Sequence, residues 1–223
     1  MLKNYLQNHP NLRYYANRIA GLRRVLPNFP SYGAELHARI LRVPDPVRQS
    51  THAMAVKRVL KENIPGAFAE AGVWRGDSTM IINSLAPDRE FYLFDTFEGF
   101  PEALGGKNDE RFRDTGIEIV KRRLADPTHV HFRKGFFPET AAGLENERFA
   151  FVLLDLDKYE PMVEGLKFFY PRLVPGAYLF IHDYNSPESD WACSRALNDF
   201  LNDKPEKVIE IADQWGSAVI RKV

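Results

Sequence analysis

Short apolar runs alternate with helix-patterned stretches along most of the chain. Residues 67–69 (AFA) lead into Glu70, and residues 91–94 (FYLF) lead into Asp95. Residues 130–134 (VHFRK), 149–155 (FAFVLLD) and 177–183 (AYLFIHD) follow. Each has the length and composition of a strand, and the unbroken run at 149–155 fits a central strand buried on both faces. Helical spacing of apolar positions fills the gaps, at residues 78–85, 116–124, 159–170 and 189–202, with Pro161 tolerable in a first turn. Ahead of the first strand, Ser50 or Thr51 is expected to cap a helix running to about Glu62, which Pro65 and Gly66 stop. Residues 208–211 and 218–221, separated by ADQWGS, read as a terminal hairpin. Five strands alternating with helices predict an α/β fold with a mostly parallel sheet, helices on both faces, and one antiparallel strand at the edge.

Two stretches lack this rhythm. Residues 1–30 mix apolar and basic positions interrupted by Pro10 and read as short helices, and residues 31–47 read as loop or lid. We therefore expect an N-terminal arm over 1–47 and one domain over 48–223. Residues 98–115 are long, polar and glycine-containing, which suggests a functional loop rather than a connector.

Composition narrows the class. Thirty basic residues balance thirty acidic ones, so bulk charge gives no support to a nucleic-acid or anionic-membrane partner. The single cysteine, Cys193, rules out an internal disulfide framework and fits a reducing compartment. No apolar stretch approaches the roughly 20 residues needed to span a bilayer. The N-terminus lacks the apolar middle of a signal peptide, so the cytoplasm is the expected location. The basic arm is compatible with a homodimer.

The chemistry gathers at the strand ends, which read Glu70, Asp95, Lys134, Asp155 and Asp183. In an open α/β sheet ligands lie beyond the carboxyl ends of the strands. Buried acids there are costly without partners. The turn after the first strand, Glu70-x-Gly72-x-x-x-Gly76, lacks the G-x-G-x-x-G of dinucleotide sites, and no Gly-Lys-Ser/Thr phosphate loop occurs. A ligand with a positive centre fits better. S-adenosylmethionine carries a sulfonium and an ammonium, and its ribose hydroxyls suit an acid such as Asp95.

The segments GAFAEAGVWRGDSTM, FYLFDTFEGFPE, VHFRKGFFPET, LLDLDKYEPMVEGLKFFYPRLVPGAYLFIHDYN and ACSRALNDF resemble, in order, the macrocin O-methyltransferase family. The resemblance covers roughly residues 45–221. It implies a Rossmann-like sheet of seven strands, S-adenosylmethionine as cofactor, and a small-molecule hydroxyl acceptor, a sugar or glycosylated metabolite. Carried over by position, Glu70 and Gly72 would line the methionine end of the cofactor, with Trp74 beside them and Gly76 and Ser78 at the helix start. Asp95 would bind the ribose, with Thr96 and Phe97 beside the adenosine and Gly135 and Phe136 bordering the adenine.

Residues 155–159 (DLDKY) also resemble the equivalent segment of cation-dependent catechol and caffeoyl-coenzyme A O-methyltransferases. That implies Asp155 as a Mg²⁺ ligand, Lys158 as a candidate base and Asp183 as a second ligand. Two strand-end carboxylates suit a hard divalent ion, which would acidify a bound hydroxyl. Macrocin-type enzymes usually carry two acids where this chain has His182 and Asp183, and histidine is a poor ligand for Mg²⁺. His182 is therefore an alternative general base in a metal-independent enzyme. Asp157 reads as a helix cap and Cys193 as an inert buried thiol. Tyr32, Phe100, Phe112 and Trp191 are candidates for an aromatic acceptor wall. An NAD-linked oxidoreductase and a non-catalytic cofactor-binding module are the competing readings.

Overall fold

Alternation along the strands sorts side chains onto two faces of a single sheet. In a computed structural model describing residues 33–99 and 112–223, seven strands run in the order β3-β2-β1-β4-β5-β7-β6. They are β1 (Ala67–Ala71), β2 (Phe91–Asp95), β3 (Val130–Lys134), β4 (Phe149–Leu154), β5 (Leu173–Ile181), β6 (Ile209–Glu210) and β7 (Ala218–Arg221). The first five pair in parallel, and β7 lies antiparallel to both β5 and β6. The antiparallel strand, expected at the edge, stands one place in from it. The reason is burial: Ala218, Val219 and Ile220 are apolar and buried against β5, whereas the two residues of β6 are exposed and can only flank them.

The helices are α1 (Ala34–Ile40), α2 (Pro46–Lys61), α3 (Asp77–Leu85), α4 (Ile117–Lys121), α5 (Tyr159–Phe169) and α6 (Ala192–Leu201). One sheet face, with Ala69, Val152, Leu154, Leu179 and Ile220, packs on Met162 and Leu166 of α5 and Cys193 and Leu197 of α6. The opposite face, with Phe68, Leu93, Phe151, Phe180 and Val219, packs on Val56 and Val59 of α2 and Ile82 of α3. The predicted strands and the two-faced helix cover are thus present. Burial pushes the Cys193 thiol pKa up, as befits an inert core group.

Contacts divide the chain into two units, residues 1–42 and 43–223. Within the first, α1 occupies part of what the sequence suggested was loop, and carries an internal Arg39–Glu35 ion pair. In the second, α2 starts earlier than expected. Asp45, not Ser50 or Thr51, is its cap, accepting the Arg48 amide at 3.1 Å, with Pro46 at the first helical position. Tyr32, Phe100 and most of the 98–115 loop lie outside the described residues. No described helix is long and apolar enough to cross a membrane.

Candidate functional site

Strand order reverses between β1 and β4, and the carboxyl ends of the strands open there into a cavity of about 450 Å³. That volume is in the range of small-molecule sites. The sheet ladder continues past the formal strand ends and aims the next residues into this space. The Asp155 amide donates to the Ala71 carbonyl (2.8 Å), and the His182 amide to the Leu154 carbonyl (2.9 Å). Gly72 makes the crossing possible. Its φ is +89°, and a Cβ there would lie 1.9 Å from the Asp155 carbonyl oxygen.

Of the expected cofactor residues, Glu70, Gly72, Trp74, Ser78, Asp95, Thr96, Gly135 and Phe136 line the cavity. Gly76 and Phe97 do not. Gly76, at φ +74°, is the cap of α3, and Phe97 is buried in the core against Phe132. Asp95 is held rigidly: Oδ2 accepts the Val73 and Trp74 amides (2.7 and 2.9 Å) and Oδ1 the Phe97 amide (2.6 Å). The Thr96 hydroxyl also lies 3.4 Å from Oδ1, so a ligand hydroxyl would share these acceptor sites. Trp74 reaches Asp114 through its indole N–H (2.8 Å) and meets Phe112 edge to face at 5.5 Å, so both rings form cavity wall rather than core. Trp191 is exposed and lies off the cavity.

Glu70 is 2% exposed and takes a hydrogen bond from the Thr79 hydroxyl at 2.6 Å. Burial raises its pKa from 4.5 to about 8; the Thr79 bond opposes this, and the nearby Asp155 and Asp95 charges add to it. A buried acid lining a cavity in this state suits a cationic ligand group, which would restore its charge. S-adenosylmethionine therefore fits the cavity beside Glu70.

The same cavity is lined by Arg48, Asp155, Asp157, Lys158, His182 and Asp183, with Gln214 and Trp215 from the β6–β7 loop. His182 Nδ1 lies 2.9 Å from Asp155 Oδ1 and 3.1 Å from Asp183 Oδ1, so the two expected metal carboxylates do converge. Arg48, which the sequence reading passed over, has Nη1 against His182 Nε2. Arginine carries only donors, so Nε2 must accept and the neutral ring keeps its proton on Nδ1. Burial acts to lower the His182 pKa, but the Asp155 carboxylate outweighs it and the net shift is upward. In the imidazolium, too, Nδ1 is protonated. Either way Nδ1 donates to the carboxylates and has no lone pair for a metal. Asp155 opposes its own burial through His182 and Arg48, and its pKa is lowered. A hard divalent ion between these two carboxylates would face the Nδ1 proton rather than a third oxygen, so this donor set fits one poorly. Nor does His182 fit a free general base, since both ring nitrogens are engaged.

Asp157 was the second residue underrated. It provides no cap to α5, whose capping position is Lys158 and has no side-chain cap bond. It lines the cavity and shares a hydrogen bond with Asp183. Burial first, then the Asp155 and Asp183 charges, push its pKa well above the ordinary carboxylate range. The D-x-D spacing was the available signal, and the local helix start masked it.

Comparison with known proteins shows the family and the fold. The family model described as macrocin-O-methyltransferase (TylF) matches residues 47–219. The 8-demethyl-8-(2,3-dimethoxy-alpha-L-rhamnosyl)-tetracenomycin-C 4'-O-methyltransferase of Streptomyces olivaceus is 30% identical over 165 residues, covering 65% of this chain and 61% of that protein. The mycinamicin III 3''-O-methyltransferase of Micromonospora griseorubida is 28% identical over 182 residues, covering 71% and 70% respectively. The chain thus spans about three fifths of the first relative's length. Among solved structures, the O-methyltransferase NovP superposes with a TM-score of 0.68 at 24% identity over 80% of each chain. A Bacillus cereus O-methyltransferase in complex with SAH gives 0.58 at 14% identity, over 90% of this chain and 96% of that one. These structures bear on the fold.

Proposed function

Because the chain belongs to the macrocin O-methyltransferase family, we propose that it methylates a hydroxyl of a glycosylated small molecule with S-adenosylmethionine as donor. The observation that carries this is one cavity lined by five carboxylates, Glu70, Asp95, Asp155, Asp157 and Asp183. When bound, the donor supplies an electrophilic methyl group on a sulfonium. Glu70 holds its ammonium and Asp95 its ribose hydroxyls. Trp74, Gly135 and Phe136 wall the adenosine and exclude water. A sugar acceptor stands beside Arg48, Asp157 and Trp215; the Streptomyces olivaceus relative is, by its name, an O-methyltransferase of a rhamnosyl-bearing compound.

The proton balance runs through this chain's carboxylates. The acceptor oxygen bonds the methyl carbon, the C–S bond breaks with its electrons on sulfur, and the hydroxyl proton passes to the Asp157–Asp183 pair. A carboxylate with a raised pKa is a better-matched base near neutrality than an ordinary one. Lys158, also in the wall, orients the acceptor by hydrogen bonding. The expected Mg²⁺ carries no step in this reading, because the donor set fits it poorly.

Isothermal titration with S-adenosylhomocysteine tests the proposal. Binding by the parent protein and its weakening in Asp95→Ala are expected. No binding at all would sink the reading.

A further inference from the structure

Resting on the methyltransferase reading above, we propose that Arg48 is a resident cation of the acceptor site, its guanidinium supplying beside Asp155 and Asp183 the positive charge that would otherwise invite a divalent ion. Arg48 stands in the first turn of α2, and that turn is anchored. Asp45 Oδ1 accepts the Arg48 amide, and Asp45 Oδ2 accepts the Gln214 amide at 2.8 Å, tying the helix start to the β6–β7 loop. The guanidinium reaches His182 Nε2, and His182 Nδ1 passes the contact on to Asp155 at 2.9 Å. A positive group thus abuts the carboxylate cluster through a ring that presents N–H, not a lone pair, to both acids.

The consequences are electrostatic and geometric. A divalent ion between Asp155 and Asp183 would meet the Nδ1 proton head-on, with a guanidinium directly behind the ring. Repulsion between like charges this close is large in a partly buried site. Asp183 is further engaged by Asp157. Arg48 meanwhile lines the cavity, and of the five N–H donors of a guanidinium the His182 contact takes one. The guanidinium therefore retains donor capacity for the acceptor oxygen as that oxygen loses its proton to the Asp157–Asp183 pair. Preorganised donors aimed at developing charge are the usual source of such stabilisation. Arg48 would so do the electrostatic work of a metal without the need to bind one.

The test uses the full chain without donor or acceptor, titrated with Mn²⁺ while the free ion is followed by electron paramagnetic resonance. The parent protein is expected to bind no stoichiometric Mn²⁺ at millimolar concentration. The folded double variant Arg48→Met/His182→Asp is expected to bind one ion per chain. In the ¹⁵N-histidine spectrum of the parent protein, His182 is expected to carry a proton on Nδ1. Stoichiometric Mn²⁺ binding by the parent protein, lost in Asp183→Asn, would overturn the proposal. So would a His182 ring protonated on Nε2 alone, or a double variant that folds by circular dichroism yet still excludes the ion. None of these readouts depends on methyl transfer, so they separate this inference from the enzymatic reading, which S-adenosylhomocysteine titration tests.

Discussion

Replacing Glu70 by Gln probes the electrostatic design of the donor end. Glu70 sits inside β1 at 2% exposure, with Thr79 its hydrogen-bonded neighbour and Asp155, Asp95 and Arg48 the charged groups around it. Its pKa rises from 4.5 to about 8, with burial the largest cause. Between those values the folded chain keeps a proton that the unfolded chain has released. Stability therefore falls as pH rises through that window, by ~1.4 kcal/mol per pH unit. The full span amounts to on the order of 5 kcal/mol, and relaxation or water entry would reduce it. Glutamine cannot ionise and escapes this loss. In urea titrations of the donor-free protein, the advantage of Glu70→Gln over the parent should grow from near pH 5 to near pH 8 and then level off. The same substitution removes the charge offered to the donor's ammonium, so S-adenosylhomocysteine affinity should fall. In the parent protein at pH 7, binding should release a proton, read as a dependence of the calorimetric heat on buffer ionisation. A stability difference that stays constant from about pH 5 to 8 would refute the reasoning about Glu70.

Other substitutions test other parts of the molecule. Gly72→Ala would place a Cβ 1.9 Å from the Asp155 carbonyl oxygen at a φ of +89°, and should destabilise the fold by several kcal/mol, on the order of 3–5, in chemical denaturation. Asp157→Asn should lower kcat by roughly 10²–10⁴-fold while leaving S-adenosylhomocysteine affinity near the parent value; an unchanged kcat would remove Asp157 from the proton path. Glu206, buried beside Lys222 Nζ (2.6 Å) and the Tyr170 hydroxyl, has its pKa held at about 2, since these bonds overcome the effect of burial. Its contribution is present above about pH 4.5 and lost as pH falls toward 2. Glu206→Gln should therefore cost about 1–3 kcal/mol at pH 7 and flatten the acid limb of the stability profile, measured by urea unfolding across pH.

The chain's own sequence determined the parallel sheet, its strands and the acids at their ends, because alternation, apolar runs and glycine turns act over a few residues. Glu70, Gly72, Asp95 and Asp155 were legible for that reason. Even the cap of α2 was written locally, as Asp45 followed by Pro46, but the apolar pattern begins later and drew the boundary downstream. What the sequence did not determine was which charges meet. Arg48 and His182 are 134 residues apart and touch because α2 packs over the sheet face that carries Phe180 of β5, the strand that His182 follows. That contact sets a guanidinium against the ring that lies between two carboxylates. Likewise the loop that looked like a cap at Asp157 becomes acid paired with acid once β5 brings Asp183 alongside. Charge–charge energies depend on separation in space and on burial, and neither is a property of spacing along the chain.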